Sequence, residues 1–209
     1  MAEPQPKRRK ISASSTQTRI ATHHFDKNDC FTLILGPEKR EILVHANYMA
    51  QESEVFKNML TKGGWVPNNT TIRIPEVDYA TMTDYITFAY FEKLPTAHLV
   101  GLVCETFAGG EYASLAQLYL LSKTFKNQLL KHATLEEIKR ISTLFDVDAT
   151  TTFPGTGDID IIYKGTNEED PARCLMVDMI AENGSGHWLT PEYNQTFILD
   201  VARKLLNRS

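Results

Sequence analysis

His45 is the residue whose type and setting come closest to chemistry. It stands at the exit of an apolar strand in "EILVHANYMAQESEVFKNML", where an imidazole can serve as a base, hold a metal or fix a strand-to-helix corner. A base needs an orienting acid and a nucleophile within reach. A metal ligand needs companions at spacings such as His-x-x-x-His, Cys-x-x-Cys or Glu-x-x-His. None of these accompanies His45, so the structural role weighs most. The other reactive side chains are scattered. His23 and His24 are adjacent, a poor geometry for one tetrahedral ion. Cys30, Cys104 and Cys174 are odd in number and far apart, which suits reduced thiols. The last two fall on apolar faces and are expected in the core. "GTG" at 155–157 and "GSGHW" at 184–188 lack the strand-loop-helix setting of a phosphate cradle and read as helix stops and turns. Ser185 has no nucleophile-elbow pattern around it. "EED" at 168–170 reads as an exposed loop ending in a helix cap. No enzyme, metal or cofactor constellation emerges.

The elements that position these residues begin near Asp29. In "CFTLILG" Phe31, Leu33 and Leu35 alternate with Cys30, Thr32 and Ile34, "GPEKR" supplies a turn, and "EILVH" follows as a second strand. Ser53 can cap a short helix carrying Val55, Phe56, Met59 and Leu60. "TTIRIP" gives a third strand, and Asp78 caps a helix bearing Met82, Tyr85, Ile86, Ala89 and Tyr90. Residues 111–131 are helical, and Thr134 with Glu137 has the capping-box spacing that would open another helix through Ile138, Ile141, Leu144 and Phe145. After a break at 151–157, "DIDIIYKG" reads as a short strand. Two helices follow, each opened by a polar residue before proline, at Asp170–Pro171 and Thr190–Pro191, with Gly184 as the first one's stop.

Charge divides the chain. The 209 residues carry a net −4, yet Lys7, Arg8, Arg9, Lys10, Arg19 and Lys27 against Glu3 and Asp26 give the first 28 residues +4, which leaves −8 for the rest. So acidic a body argues against a broad phosphate-binding surface, and nucleic acid is not an expected partner of it. Residues 1–28 are polar, rich in Ser and Thr and aperiodic, and are expected to be a disordered tail. Within it the cluster Lys7, Arg8, Arg9 and Lys10 is a candidate nuclear-import signal. No apolar run spans a membrane, and no apolar segment marks a secretory signal, so an intracellular location, nuclear or cytoplasmic, is expected.

Three stretches carry a resemblance to a known family. "DCFTLILGPEKREILVHANYMAQESEVFKNML" resembles the opening of a fungal-type BTB/POZ domain: an Asp before the first strand, a Gly-Pro-Glu turn, then Val-His and a Ser-x-x-Phe helix. "TIRIPEVDYATMTDYITFAYFEKLP" is similar to that family's third strand and following helix, and "SLAQLYLLSKTFKNQLLKHATLEEIKR" to its later helical pair. The resemblance implies an α+β fold, a small mixed β-sheet with a cluster of α-helices. Residues 29–150 would form the BTB/POZ domain. Residues 151–209, a strand and two helices, would pack on it as an extension. Ala46 stands where the family usually has a basic residue that lines a partner groove, and no kelch, MATH, zinc-finger or ankyrin pattern is present.

The function implied is a protein–protein interaction module rather than an enzyme. It would associate with itself, recruit a cullin ubiquitin-ligase scaffold, or both, and need no metal, cofactor or small-molecule substrate. By the same resemblance Asp29 and His45 fix the mouth of the hairpin and pair there. Phe31, Tyr48, Met49 and Val55 are candidate partner contacts, with residues 76–94 on the side that would face a cullin. The alternative is a nuclear regulatory protein whose basic tail contacts nucleic acid or the import machinery.

Overall fold

The computed structural model describes residues 29–62, 66–67, 69–96, 110–143, 153–183 and 189–207. The tail with its basic cluster and His23 and His24, Cys104, Leu144 and Phe145, and the Gly184–Ser185 turn lie outside the described residues. Within them the chain forms three strands and eight helices.

The first strand, β1 (Cys30–Leu35), is the middle of the sheet. It pairs antiparallel with β2 (Arg40–His45), which sets Phe31 opposite Val44 and Leu33 opposite Ile42. It pairs in parallel with β3 (Thr71–Ile74), Leu33 beside Ile72 and Leu35 beside Ile74. Because side chains alternate along a strand, these residues line one face and form the floor of a core. Thr32, Ile34, Leu43 and Arg73 share the other face, which looks to solvent. The turn between β1 and β2 needs Gly36, whose φ of +61° suits a residue without Cβ.

The core is roofed by helices whose ends are set by short polar side chains. Helices α1 (Ala46–Glu52) and α2 (Glu54–Lys62) meet at buried Ser53. Its hydroxyl accepts the Phe56 N–H at 3.2 Å and donates to the Phe125 carbonyl at 2.6 Å. At the start of α3 (Tyr79–Phe91) the Asp78 carboxylate accepts the Thr81 N–H at 2.9 Å and its hydroxyl at 2.6 Å. Both caps stand where the sequence places them.

Residues 111–131 do not form one helix. The chain turns at Phe125–Asn127, with Lys126 at φ 51°, so α4 (Glu111–Thr124) and α5 (Gln128–Ile141) are separate. Asn127 is the cap, accepting the Leu130 N–H at 2.9 Å. Thr134 therefore lies inside α5, its hydroxyl donating back to the Leu130 carbonyl at 3.0 Å, and opens nothing. An Asn preceding a helix offers an acceptor oxygen, as a Thr does through its hydroxyl, and here it comes first.

The expected strand at 158–165 is a helix, α6 (Thr156–Gly165). Its Asp/Ile alternation satisfies period two, but Ile159, Ile162 and Tyr163 also fall at i, i+3 and i+4, and these are the residues buried. The Asp158 carboxylate accepts the Gly155 N–H at 2.8 Å, so "GTG" starts a helix rather than ending one. Helix α7 (Pro171–Asn183) does begin after Asp170, which accepts the Ala172 N–H at 3.0 Å. Cys174 is exposed on α7 rather than in the core. Thr190–Pro191 forms a turn, and α8 (Gln195–Leu206) starts later, after Asn194 accepts the Thr196 N–H at 3.0 Å.

Helix α4 stands between two cores. Leu118 and Leu121 face the sheet, whereas Tyr112, Leu115, Ala116 and Tyr119 join Ile159, Ile162, Met176 and Phe197 in a second cluster. Buried Arg173 closes the end of α6: its guanidinium donates to the carbonyls of Tyr163, at 2.7 Å, and Thr166. Helices α4 and α6 approach closely at Gly165, where an added Cβ would lie 2.4 Å from Leu120 Cδ1. An alanine there must displace the end of the Leu120 side chain, so Gly165→Ala should lower the urea unfolding midpoint by about 1 kcal/mol of overpacking, and its loss should not add to that of Leu120→Ala in a double-mutant cycle.

Candidate protein-docking face

The corner at His45 is built by hydrogen-bond phase. The Ala46 N–H donates to the Asp29 carbonyl at 2.8 Å, so along the β1–β2 ladder the next N–H, that of His45, points away from β1. It meets the Tyr90 phenol oxygen at 2.7 Å, and the same oxygen lies 2.8 Å from His45 Nδ1. The phenol oxygen accepts the backbone proton and also holds the His45 ring through Nδ1. Tyr48 stacks on the Tyr90 ring at 4.4 Å and 10°. Burial pushes the Tyr90 phenol above its ordinary pKa, against the opposing bond from the His45 backbone. Asp29 reaches this corner through its carbonyl, and Tyr90 on α3 meets the His45 ring.

Tyr90→Phe removes the oxygen that both the His45 N–H and Nδ1 meet in a half-buried corner. The expected cost is about 1–3 kcal/mol, read as a lower denaturant midpoint with the far-ultraviolet spectrum unchanged.

The candidate contacts divide by burial. Phe31 and Met49 belong to the core of this chain, with 0% and 1% of their surface exposed, and reach no partner without opening it. Tyr48 is buried under its stack, and Val55 is half-buried. The exposed apolar residues nearby are different ones. Phe91, 65% exposed, follows Tyr90 at the end of α3, and Leu129, 43% exposed, lies in the first turn of α5. Between them α1, α3 and α5 enclose a cleft of about 80 Å³ lined by Tyr48, Gln51, Glu52, Phe88, Tyr90, Glu92 and Leu129. Leu129 falls at the helical spacing of Leu115, Leu118 and Phe125 if 111–131 is read as one helix. The break at Asn127 resets the phase.

A larger open hollow, about 540 Å³, lies on the solvent face of the sheet between Ile34, Pro37, Lys39, Glu41, Arg73 and Pro75. Its lining pairs no nucleophile with a base. Among the described residues no three His, Cys, Asp or Glu side chains gather as a metal site, and no helix is long and apolar enough to cross a membrane.

The model of the BTB/POZ domain matches residues 22–106. The chain contains a BTB/POZ domain. No curated protein matches the chain. A BTB/POZ domain is a protein-interaction domain, so this chain carries a protein–protein interaction module, with a three-stranded mixed sheet under helices. The BTB/POZ match begins ahead of Asp29 and stops short of α4. The helical pair α4 and α5 and the last three helices lie beyond it. The aromatic corner lies within the matched span, whereas the cleft draws on both parts: α1 and α3 come from that span, Leu129 from α5.

Proposed function

We propose that this BTB/POZ protein is an adaptor that docks a protein partner, a cullin-type ligase scaffold, on the face formed by α1, α3 and α5. The observation that carries the reading is Phe91. It is an aromatic ring left 65% exposed at the end of α3, beside a cleft floored by stacked Tyr48 and Tyr90. Aromatic anchors beside a small pocket are what dominate protein interfaces, with polar residues as the rim. Here Gln51, Glu52 and Glu92 supply that rim. The floor is rigid because Tyr90 is held by His45 from one side and Tyr48 from the other, so docking orders few side chains.

The test is a mixture of the full chain with the N-terminal half of a cullin scaffold, run on a sizing column with light scattering. A one-to-one complex is expected, with Phe91→Ala weakening it at least about tenfold, the loss typical of an anchor worth 1.4 kcal/mol or more. Leu129→Ala should weaken it less. Absence of a complex with the unaltered chain, or a complex indifferent to both substitutions, would overturn the proposal.

A further inference from the structure

The cleft between α1, α3 and α5 is acidic at its rim. Glu52 ends α1 and Glu92 follows α3; both are exposed, and among the described residues neither forms an ion pair. Between them lie the stacked rings of Tyr48 and Tyr90 and a space of about 80 Å³, enough for the end of one side chain. Two carboxylates beside tyrosine faces suit a guanidinium or an ammonium, which gains charge-assisted contacts at the rim and a cation–π contact at the floor.

The chain brings such groups to the same corner. The 28 residues that precede Asp29 carry a net +4 against −8 on the rest. They join the described fold at Asp29, whose carbonyl accepts the Ala46 N–H at 2.8 Å where α1 begins. Asp29 thus sits beside His45, the residue that meets Tyr90. Residues 11–28 can span at most about 60 Å, which brings Lys7, Arg8, Arg9 and Lys10 within reach of the cleft.

We propose that the basic segment 7–10 occupies the cleft of its own chain, an arginine on the tyrosine floor and its neighbours facing Glu52 and Glu92. The inference rests on the cleft being a docking site, and it makes the tail a competitor of the partner. Tethering sets an effective concentration on the order of 1 mM. A contact with a Kd of about 100 µM then fills the cleft about nine-tenths of the time and weakens partner docking about tenfold. The docked cluster is withheld from any other receptor, so a partner that takes the cleft also exposes the cluster.

The test titrates a fluorescein-labelled synthetic peptide of residues 4–13, PQPKRRKISA, into two full chains and follows anisotropy. One chain is unaltered; the other carries Lys7→Ala, Arg8→Ala, Arg9→Ala and Lys10→Ala. The alanine chain should bind the peptide with a Kd of about 100 µM, and the unaltered chain about tenfold more weakly, because its own cluster fills the cleft. Adding Glu52→Gln and Glu92→Gln to the alanine chain should weaken peptide binding at least about fivefold, with an unchanged circular dichroism spectrum. Equal binding by the two chains would overturn the inference. So would binding indifferent to Glu52 and Glu92, which would put the peptide elsewhere on the acidic body. Cullin binding by the same chains is read separately. No complex with either chain would overturn the docking of a cullin and not the tail contact, whereas complexes of equal strength would overturn the competition alone.

Discussion

Asp170→Ala should lower stability by about 3 kcal/mol, near the lower end for breaking a buried charged pair because one partner is part-exposed. Asp170 is 4% exposed and holds three donors: the Tyr119 hydroxyl at 2.6 Å, the Lys123 ammonium, and the Ala172 N–H at 3.0 Å. It thus caps α7 and ties it to α4 in one group. Alanine leaves a buried phenol and an ammonium, 31% exposed, without their acceptor. In a chain of this size the thermal midpoint should fall by roughly 6–12 °C.

The same carboxyl gives a pH signature. Burial pushes the Asp170 pKa up, but the bonds from Lys123, Tyr119 and the Ala172 N–H together outweigh it and hold the carboxyl below its ordinary value. Its stabilisation is therefore complete above the unfolded carboxylate range, about pH 4. It disappears as pH falls through the lower folded value. Asp78 and Glu137 are lowered too, by Thr81 in one case and by Arg140 and Thr96 in the other, each against an opposing desolvation. The urea midpoint should stay level from neutrality to about pH 5 and fall steeply below 4. Asp170→Asn, which keeps the shape of the cap but no charge, should start lower and fall less steeply. An equal slope in both proteins would show that Asp170 is not a source of the acid loss.

Ending the chain at residue 150 should have the larger effect. It removes Ile159, Ile162, Met176 and Phe197 from the second cluster and uncovers Leu115, Ala116 and Tyr119, each fully buried in the intact chain. Helix α4 would keep its sheet-facing side and lose the other. Residues 1–150 should lack a sharp unfolding transition and bind a hydrophobic dye, as expected when packing fails on one side of a central helix. A monomeric fragment with a cooperative transition and no dye binding would mean that the first core stands without the second.

The elements whose ends are fixed by local chemistry were legible. Ser53, Asp78 and Asp170 mark helix starts by their own side chains, and the alternation of Phe31, Leu33 and Leu35 marks the inner face of β1. Elements in which two periods compete were not. "DIDIIYKG" satisfies both strand and helix spacing, and only the Asp158 cap and the neighbouring core choose the helix. The docking face was legible as a fold position but not as a surface. Phe31 and Met49 are apolar in the right segment, yet tertiary packing consumes them, and Phe91 and Leu129 remain outside. The tie between His45 and Tyr90 spans 45 positions, and no local pattern announces it.

The central place of β1 also orders events in time. Its antiparallel neighbour is reached across a short turn, and such a hairpin closes on the order of 1–10 μs. Its parallel neighbour pairs Thr32 with Thr71, after two helices have intervened, and that loop must close before any contact rewards it. Until β3 arrives, the far edge of β1 offers unsatisfied N–H and C=O groups beside Phe31, Leu33 and Leu35. That interval, rather than any weakness of the finished sheet, is when the nascent chain is most exposed to pairing with the wrong strand.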